Sequence, residues 1–419
     1  MLDAAENASP VEAVEAVTSA LGRAVGATAA SFLIADLSGR ALVRLSHFAV
    51  ADEGQGNGAG GERRDAEESA VVLPFDGGPA EQTLRSQTIT VLPPGEQYGA
   101  SADTDQWTVL APVTERGEAL GLLEMSLHEE PDRGVLVDIT RTAHVLGFVV
   151  IANRRHTDLF EWGQRTTPFT LPAEIQRRLL PAATTCEAGA FTLSAWLEPA
   201  ADIGGDTYDF SLSRDVLHLS VTDAMGHDVA SALTATLCVG SLRNTRRQGA
   251  TLVEQANTAN SALIDHGDLE SFATGLLGRL DLSTGVLSLV NAGHVAPYLA
   301  RNGSVVEIEL AVNLPFGFFD DIGYTSTQVS MEPGDRLVIV TDGMLERNAA
   351  GLDLAAEITQ TRSMHPRETT RHLADNVLRV SRPALADDAT LMVLDWHGHH
   401  DSPGPDRDTV AGAGVPTTP

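Results

Sequence analysis

Basic residues are scarce in this chain. Lys and Arg number 28 against 57 Asp and Glu, a formal charge of −29 over 419 residues. A polyanion needs a basic face, so nucleic acid is excluded as a partner, and docking on anionic membranes is excluded for the same reason. Cysteine is nearly missing. Cys186 and Cys238 are the only two, without metal-ligand spacing, so neither a disulfide framework nor a zinc cluster is available. Both read as inert thiols of a reducing compartment. No uninterrupted apolar run approaches about 18 residues, so no membrane-spanning helix is expected. The segment Met1–Glu6 is acidic and lacks the basic and apolar regions of a signal peptide. These absences together predict a cytoplasmic protein.

What is present divides the chain into four parts. Residues 1–150 read as an α/β domain. Val11, Val14, Val17, Leu21 and Val25 share one face of an opening helix. Strands are expected at 31–36, 41–46, 107–112 and 120–126, and a helix at 136–151. Residues 51–70 are Gly-rich and charged, which predicts a mobile loop. Residues 151–186 form a connector with a short helix over 171–181, opened by Pro172 and ended by Pro181. Leu171, Ile175, Leu179 and Leu180 lie on one face of it, suiting either packing on its own domain or a lever or dimer contact. Residues 187–397 carry ten strand patterns and four helix patterns, which predicts a β-sandwich covered by helices. The tail, 398–419, is rich in Gly, Pro and Asp and is expected to be disordered.

The most informative segment is 205–223. Two strands with a turn at Arg214–Asp215 place residues whose numbers sum to 429 opposite each other. One face then reads Asp206, Tyr208, Phe210, Leu212 and Leu217, Leu219, Val221, Asp223; the other is mostly polar. Asp206 and Asp223 are thereby set across from each other. Opposed side chains stand roughly 4.5–5.5 Å apart at Cβ, and like charges there repel. A divalent cation would reverse the sign of that interaction. The plainer alternatives are an Asp206 that caps a turn after Gly204-Gly205 and an Asp223 that starts a helix. Two further segments end or open apolar strands with aspartate: 337–343, ending Asp342-Gly343, and 387–394, beginning Asp387-Asp388.

The stretches PAADIGGDTYDF, LSVTDAMGHDVASALTATL, FATGLLGRLDLSTGVLSLVNAGHVAPYL, LVIVTDGMLE and DDATLMVL, in that order, resemble the SpoIIE/RsbU-like branch of the PPM-type metal-dependent Ser/Thr protein phosphatases. PAEIQRRLLP resembles the segment that precedes this catalytic domain. Residues 1–150, especially WTVLAPVTERGEALGLLEMSL, resemble a GAF sensor domain. The resemblance implies an α+β fold: an αββα sandwich of two antiparallel sheets flanked by helices, behind a GAF-like domain. It implies two divalent cations, Mn²⁺ or Mg²⁺, with Asp206, Asp223, the Ala224 carbonyl, Asp342 and Asp387 as ligands and Asp388 as the less favoured member of its pair. It also implies hydrolysis of phosphoserine or phosphothreonine on a protein, with a STAS-type anti-sigma-factor antagonist as substrate and partner. A homodimer through the connector helix is a further expectation.

Hard oxygen donors suit Mg²⁺ and Mn²⁺, and a two-metal site needs no Ser or Cys nucleophile. The chain departs from family patterns at Asp228, expected to cap the following helix, and at Met225, where some relatives carry a His. His227 is read as ordering its loop, and Asn291, Gly293 and His294 as shaping the fold. The rival readings are a catalytically silent binding module and a metal-dependent nucleotide hydrolase. Against the latter, no Gly-rich phosphate loop with Lys is present.

Overall fold

The computed structural model describes residues 1–49, 72–75, 77–96, 105–166, 169–199, 205–226, 228–266, 271–320, 323–345, 353–380, 385 and 387–398. The predicted loop at 51–70, His227 and the tail beyond Gly398 lie outside them. The chain divides into two compact units, one over Met1–Pro168 and one over Phe169–Gly404.

The first unit runs α1 (Leu2–Glu6), α2 (Ala13–Val25), β1 (Ala29–Ala35), β2 (Ala41–Ala49), β3 (Val72–Pro74), α3 (Pro79–Ser86), β4 (Thr90–Leu92), β5 (Trp107–Glu115), β6 (Glu118–Leu127), α4 (Arg133–Asn153) and α5 (Leu159–Gly163). Its antiparallel sheet has the order β3-β2-β1-β6-β5-β4. Alternate residues of the central strands, Phe32, Ile34, Leu123 and Met125, pack against Val14, Val17 and Leu21 of α2 and Ile139, Leu146 and Val150 of α4. Leu84 of α3 covers Leu33, Leu42 and Leu122 on the opposite face. Each strand pattern at 31–36, 41–46, 107–112 and 120–126 falls on one of these strands, with ends that differ by at most three residues. α3 and β4 are too short to leave a periodic signal. α4, 21 residues long, is apolar enough by length and composition alone to cross a membrane, although Asp138 and Arg141 interrupt its apolar run. Its buried row on the sheet accounts for that composition as a core helix. Asp132 starts it, accepting from the Val135 N–H at 2.9 Å.

The second unit opens with α6 (Leu171–Leu179), followed by β7 (Thr185–Glu187), β8 (Phe191–Glu198), β9 (Asp206–Leu212), β10 (Val216–Ala224), α7 (Val229–Arg247), α8 (Leu252–His266), β11 (Ala273–Asp281), β12 (Val286–Ala292), β13 (Tyr298–Arg301), β14 (Ser304–Glu307), β15 (Val312–Asn313), β16 (Thr327–Ser330), β17 (Arg336–Val340), α9 (Leu354–Gln360), α10 (Pro366–Val380) and β18 (Ala389–Trp396). One sheet has the order β15-β12-β11-β10-β9 with β16 on β12, and the other β14-β13-β17-β18-β8-β7. The inner faces share one core. Tyr208, Leu217, Leu219, Val221, Leu276 and Leu289 of the first sheet meet Phe191, Leu193, Leu337, Ile339, Met392 and Leu394 of the second. α7 and α8 cover the outer face of the first sheet through Cys238, Leu242, Ala256 and Leu263. α9 and α10 cover the outer face of the second through Ile358, Leu373 and Val377. The result is the αββα sandwich.

Its strands alternate between this central core and a helix-covered face. The outer face of the β9–β10 hairpin is therefore buried although it is polar. Thr207 and Thr222 share a hydroxyl–hydroxyl hydrogen bond of 2.5 Å there. Asp209 takes Arg243 and Arg246 of α7 at 2.8 Å each.

Candidate metal centre

The hairpin adopts the register read from the sequence. Leu212 pairs with Leu217, Tyr208 with Val221 and Asp206 with Asp223, and the turn closes with Ser213 N–H donating to Val216 O at 2.8 Å. Both aspartates thus end the inner row of their strands, at one pole of the sandwich core. Gly205 is what lets the pair close: a Cβ there would stand 2.4 Å from the Ala224 carbonyl oxygen, inside any allowed contact. Neither carboxylate plays the plainer role. Asp206 accepts from residues far along the chain rather than from its own turn, and Asp223 lies within β10.

The inner rows of the other sheet supply those partners. Thr341 follows Leu337 and Ile339 at strand spacing, and Thr390 precedes Met392 and Leu394 in the same way. Their hydroxyls donate to Asp206 Oδ2 at 2.8 and 2.6 Å, and the Thr390 N–H donates to Thr341 Oγ1 at 2.9 Å. Asp206 is therefore the point where the two sheets are tied together. Asp342 begins a single 3₁₀ turn, Asp342–Met344, directly after β17. A Cβ on Gly343 would fall 2.0 Å from the Asp388 carbonyl oxygen. The Asp-Gly and Asp-Asp segments are thus in backbone contact, which explains the glycine. Asp342 is exposed, Asp223 and Asp387 are half-buried, and Asp388 is buried.

Sequence pattern marks Asp388 only as the less favoured member of its pair and does not mark Gln176, Thr341 or Thr390. Asp388 is 1% exposed, and its Oδ2 accepts from Gln176 Nε2 of α6 at 2.6 Å; the same amide donates to the Asp206 carbonyl at 2.8 Å. On α6 the side chain sealed against the domain is this Gln, while Leu171 of the expected apolar stripe is exposed. Leu179 and Leu180 of that stripe do pack inward. The available signal was a Gln with Leu at i+3 and i+4, an amide set on the buried edge of a helix.

Electrostatics mark the cluster. Burial first, then the charges of Asp223 and Asp388, hold the Asp206 carboxyl well above the usual carboxylate range, against the opposing pull of the two threonine hydroxyls. Burial first, then the charges of Asp342, Asp387 and Asp388, push Asp223 up to about 7. The carboxylates of Asp206, Asp223, Asp342, Asp387 and Asp388 act on one another here. Among the described residues no three His, Cys, Asp or Glu side chains are grouped at metal-holding spacing. The five carboxylates share this pole without forming such a group. The donor set is all oxygen, anionic and partly desolvated, and it fits a hard divalent cation.

Neighbouring residues hold this pole in place. Asp228 caps α7, its Oδ1 accepting from the Ala230 and Ser231 N–H groups at 2.8 and 3.4 Å. Asn291 and His294 close a turn by exchanging hydrogen bonds of 2.9 and 2.7 Å. Gly293 sits in it at φ 68°, where a Cβ would meet Pro315 Cγ at 2.7 Å. Burial holds the His294 imidazole down to about 4, so it serves the turn as a neutral ring. Cys238 is buried and its thiol is pushed up to about 12.

Residues 213–397 match the family described as Stage II sporulation protein E (SpoIIE). The chain is 23% identical over 231 residues to Phosphoserine phosphatase RsbU of Bacillus subtilis, covering 54% of this chain and 68% of that one. It is 22% identical over 196 residues to Stage II sporulation protein E of Priestia megaterium, covering 46% of this chain and 33% of that one. Among solved structures, the SiaA-PP2C domain of Pseudomonas aeruginosa aligns at 20% identity with a TM-score of 0.46, covering 53% of this chain and 93% of that chain. The chain thus spans about a third of one named relative and two thirds of the other. The family match begins at Ser213, so Asp206 is joined to it by the hairpin register. Residues 213–397, within the second unit, are therefore similar to the SpoIIE family, and a wider stretch of the chain is similar to a phosphoserine phosphatase.

Proposed function

We propose that this chain is a metal-dependent protein phosphatase that hydrolyses phosphoserine or phosphothreonine in bacterial partner-switching signalling. The observation that carries the reading is the direct opposition of Asp206 and Asp223 at the sandwich pole, with both carboxyls raised by burial and by their acidic neighbours. Such a cluster is costly unless a cation neutralises it.

Asp206, Asp223, the Ala224 carbonyl, Asp342 and Asp387 would hold two divalent cations, Mn²⁺ or Mg²⁺. Two bound cations supply Lewis acidity toward the phosphoryl oxygens and acidify a water for in-line attack. The residues of the chain do the positioning. Thr341 and Thr390 fix the Asp206 carboxylate. Gln176 fixes Asp388 and the backbone of Asp206 together. Asp223 faces its neighbours with a carboxyl that titrates near neutrality and exchanges its proton readily for a cation. Asp388 is a candidate to assist Asp387.

The relatives' names support phosphoserine as the hydrolysed group, which is placed here on a protein. A STAS-type anti-sigma-factor antagonist is the specific candidate. Residues 1–150 would act as a GAF-like sensor, and α6, whose Gln176 touches the cluster, would carry its state to the site. A homodimer through α6 belongs to the same reading.

The test is phosphate release from phosphorylated STAS-domain proteins by the purified full chain, with manganese or with chelator. Manganese-dependent release that falls on the order of a hundredfold or more in Asp223→Asn is the expected result. Equal release by the variant refutes the assignment, and release from nucleotides alone favours a nucleotide hydrolase.

A further inference from the structure

Exposed and half-buried apolar side chains lie beside the acidic pole, drawn from three separate parts of the chain. Met225, two residues beyond Asp223, is exposed, and its N–H donates to the Phe272 carbonyl at 3.1 Å. Phe272 meets Phe318 edge to face at 5.6 Å between ring centres, and Phe318 meets Phe319 at 5.1 Å. Phe319 is 58% exposed. Its backbone is not loose, because the Phe319 carbonyl accepts from Asn260 Nδ2 at 2.9 Å and the Gly317 N–H donates to Asn260 Oδ1 at 2.8 Å. On the other side, α7 starts four residues after Met225 and presents Val229 and, one turn on, Leu233, which is 53% exposed.

The outer face of α7 is unusual in composition. Solvent-facing helix surfaces normally carry charge, yet every exposed position from Val229 to Asn244 is uncharged. This occurs in a chain of net charge −29. Exposed apolar side chains in mutual contact, as Phe318 and Phe319 are, mark an interaction surface more often than chance does.

The geometry points to one occupant: the apolar flank of the phosphorylated segment of a substrate protein. This inference rests on the phosphatase reading and names how the substrate is held. A phosphorylated partner brings roughly −1.5 to −2 of added charge at its phosphate. The long-range field of so acidic a chain opposes that approach. Bound cations would draw the phosphate itself, and the residues flanking it would meet the uncharged patch, where short-range burial supplies further contact energy. The distance also suits. Two residues of backbone span at most roughly 7 Å, so Met225 lies within reach of side chains one to three residues from a phosphoserine held at the Asp206–Asp223 pole. The patch would therefore select phosphoserine segments with Leu, Ile, Val or Phe beside the phosphorylated residue over segments with small polar residues there.

The test uses the full chain with manganese and three substrates. These are para-nitrophenyl phosphate and two phosphoserine decapeptides, one with Leu and Phe flanking the phosphoserine and one with Ser and Gly in their place. The quantity read is the ratio of kcat/KM for the two peptides within each protein. A ratio of about ten or more in the wild type, falling to about one in Leu233→Glu and in Phe319→Glu, is expected. Val306→Lys, an exposed apolar residue on β14 away from the patch, should keep the wild-type ratio. A wild-type ratio near one overturns the inference, as does a ratio that survives both patch variants. A patch variant that changes only the sedimentation of the protein assigns the surface to a second copy and also overturns it. No manganese-dependent release from any of the three substrates overturns the phosphatase reading itself, which is how the two failures are told apart.

Discussion

Replacing Asp223 by Asn should stabilise the ion-free protein, even though it removes a central residue of the site. The Asp223 carboxyl is raised from 3.8 to about 7, by burial first and then by Asp342, Asp387 and Asp388. Between those two values the folded chain keeps a proton that the unfolded chain has released. Ion-free stability therefore falls as pH climbs across that window, and the full cost is present above it. The displacement is about three units at 1.36 kcal/mol each, a ceiling of about 4 kcal/mol. For a unit of this size each kcal/mol moves Tm by about 2–4 °C. Calorimetry of the full chain in chelator at pH 8 should show the transition of the Phe169–Gly404 unit several degrees higher in Asp223→Asn than in the wild type. The gap should close toward pH 4. Manganese should reverse the order, raising the wild-type Tm by mass action and leaving the variant nearly unmoved. A variant that is less stable than the wild type in chelator at pH 8 would show that Asp223 is held by favourable contacts, and the repulsive-cluster argument would fail.

Gln176→Leu should lower stability by about 1–3 kcal/mol, because it strips the buried Asp388 carboxylate and the Asp206 carbonyl of a shared donor; a urea midpoint equal to wild type would contradict this. Gly343→Ala should weaken manganese binding, read by titration calorimetry, because its Cβ would sit 2.0 Å from the Asp388 carbonyl and force the two segments apart; unchanged affinity would mean that the contact does not set the site. Arg336→Met should cost about 3–5 kcal/mol in urea unfolding. This guanidinium is fully buried, paired with Asp395 at 2.6 Å and bonded to the Thr361 and Met364 carbonyls, so its loss strands a charge and two carbonyls.

Local periodicity made much of this legible. The strand period of two separated Tyr208, Leu217, Leu219 and Val221 from the polar row, and with the two-residue turn it set Asp206 against Asp223. α7 and α8 fall on two of the four helix patterns read in residues 187–397. Where the sequence misled, tertiary contact was responsible. Thr207, Thr222 and Asp209 form a polar row that the pattern alone cannot mark as buried; α7 and its arginines make it so. The 133–153 helix is apolar because one side of it is core, a distinction that composition does not carry.

By itself, the order of residues determined the longer elements, the hairpin register and the pairing of the first two aspartates, because those depend on neighbours in the chain. Only the folded sandwich decided which distant groups meet Asp206. Thr341, Thr390 and the Gln176 amide lie 135, 184 and 30 residues away. They converge because two sheets close on one apolar core, and the side chains that end its rows have nowhere else to point.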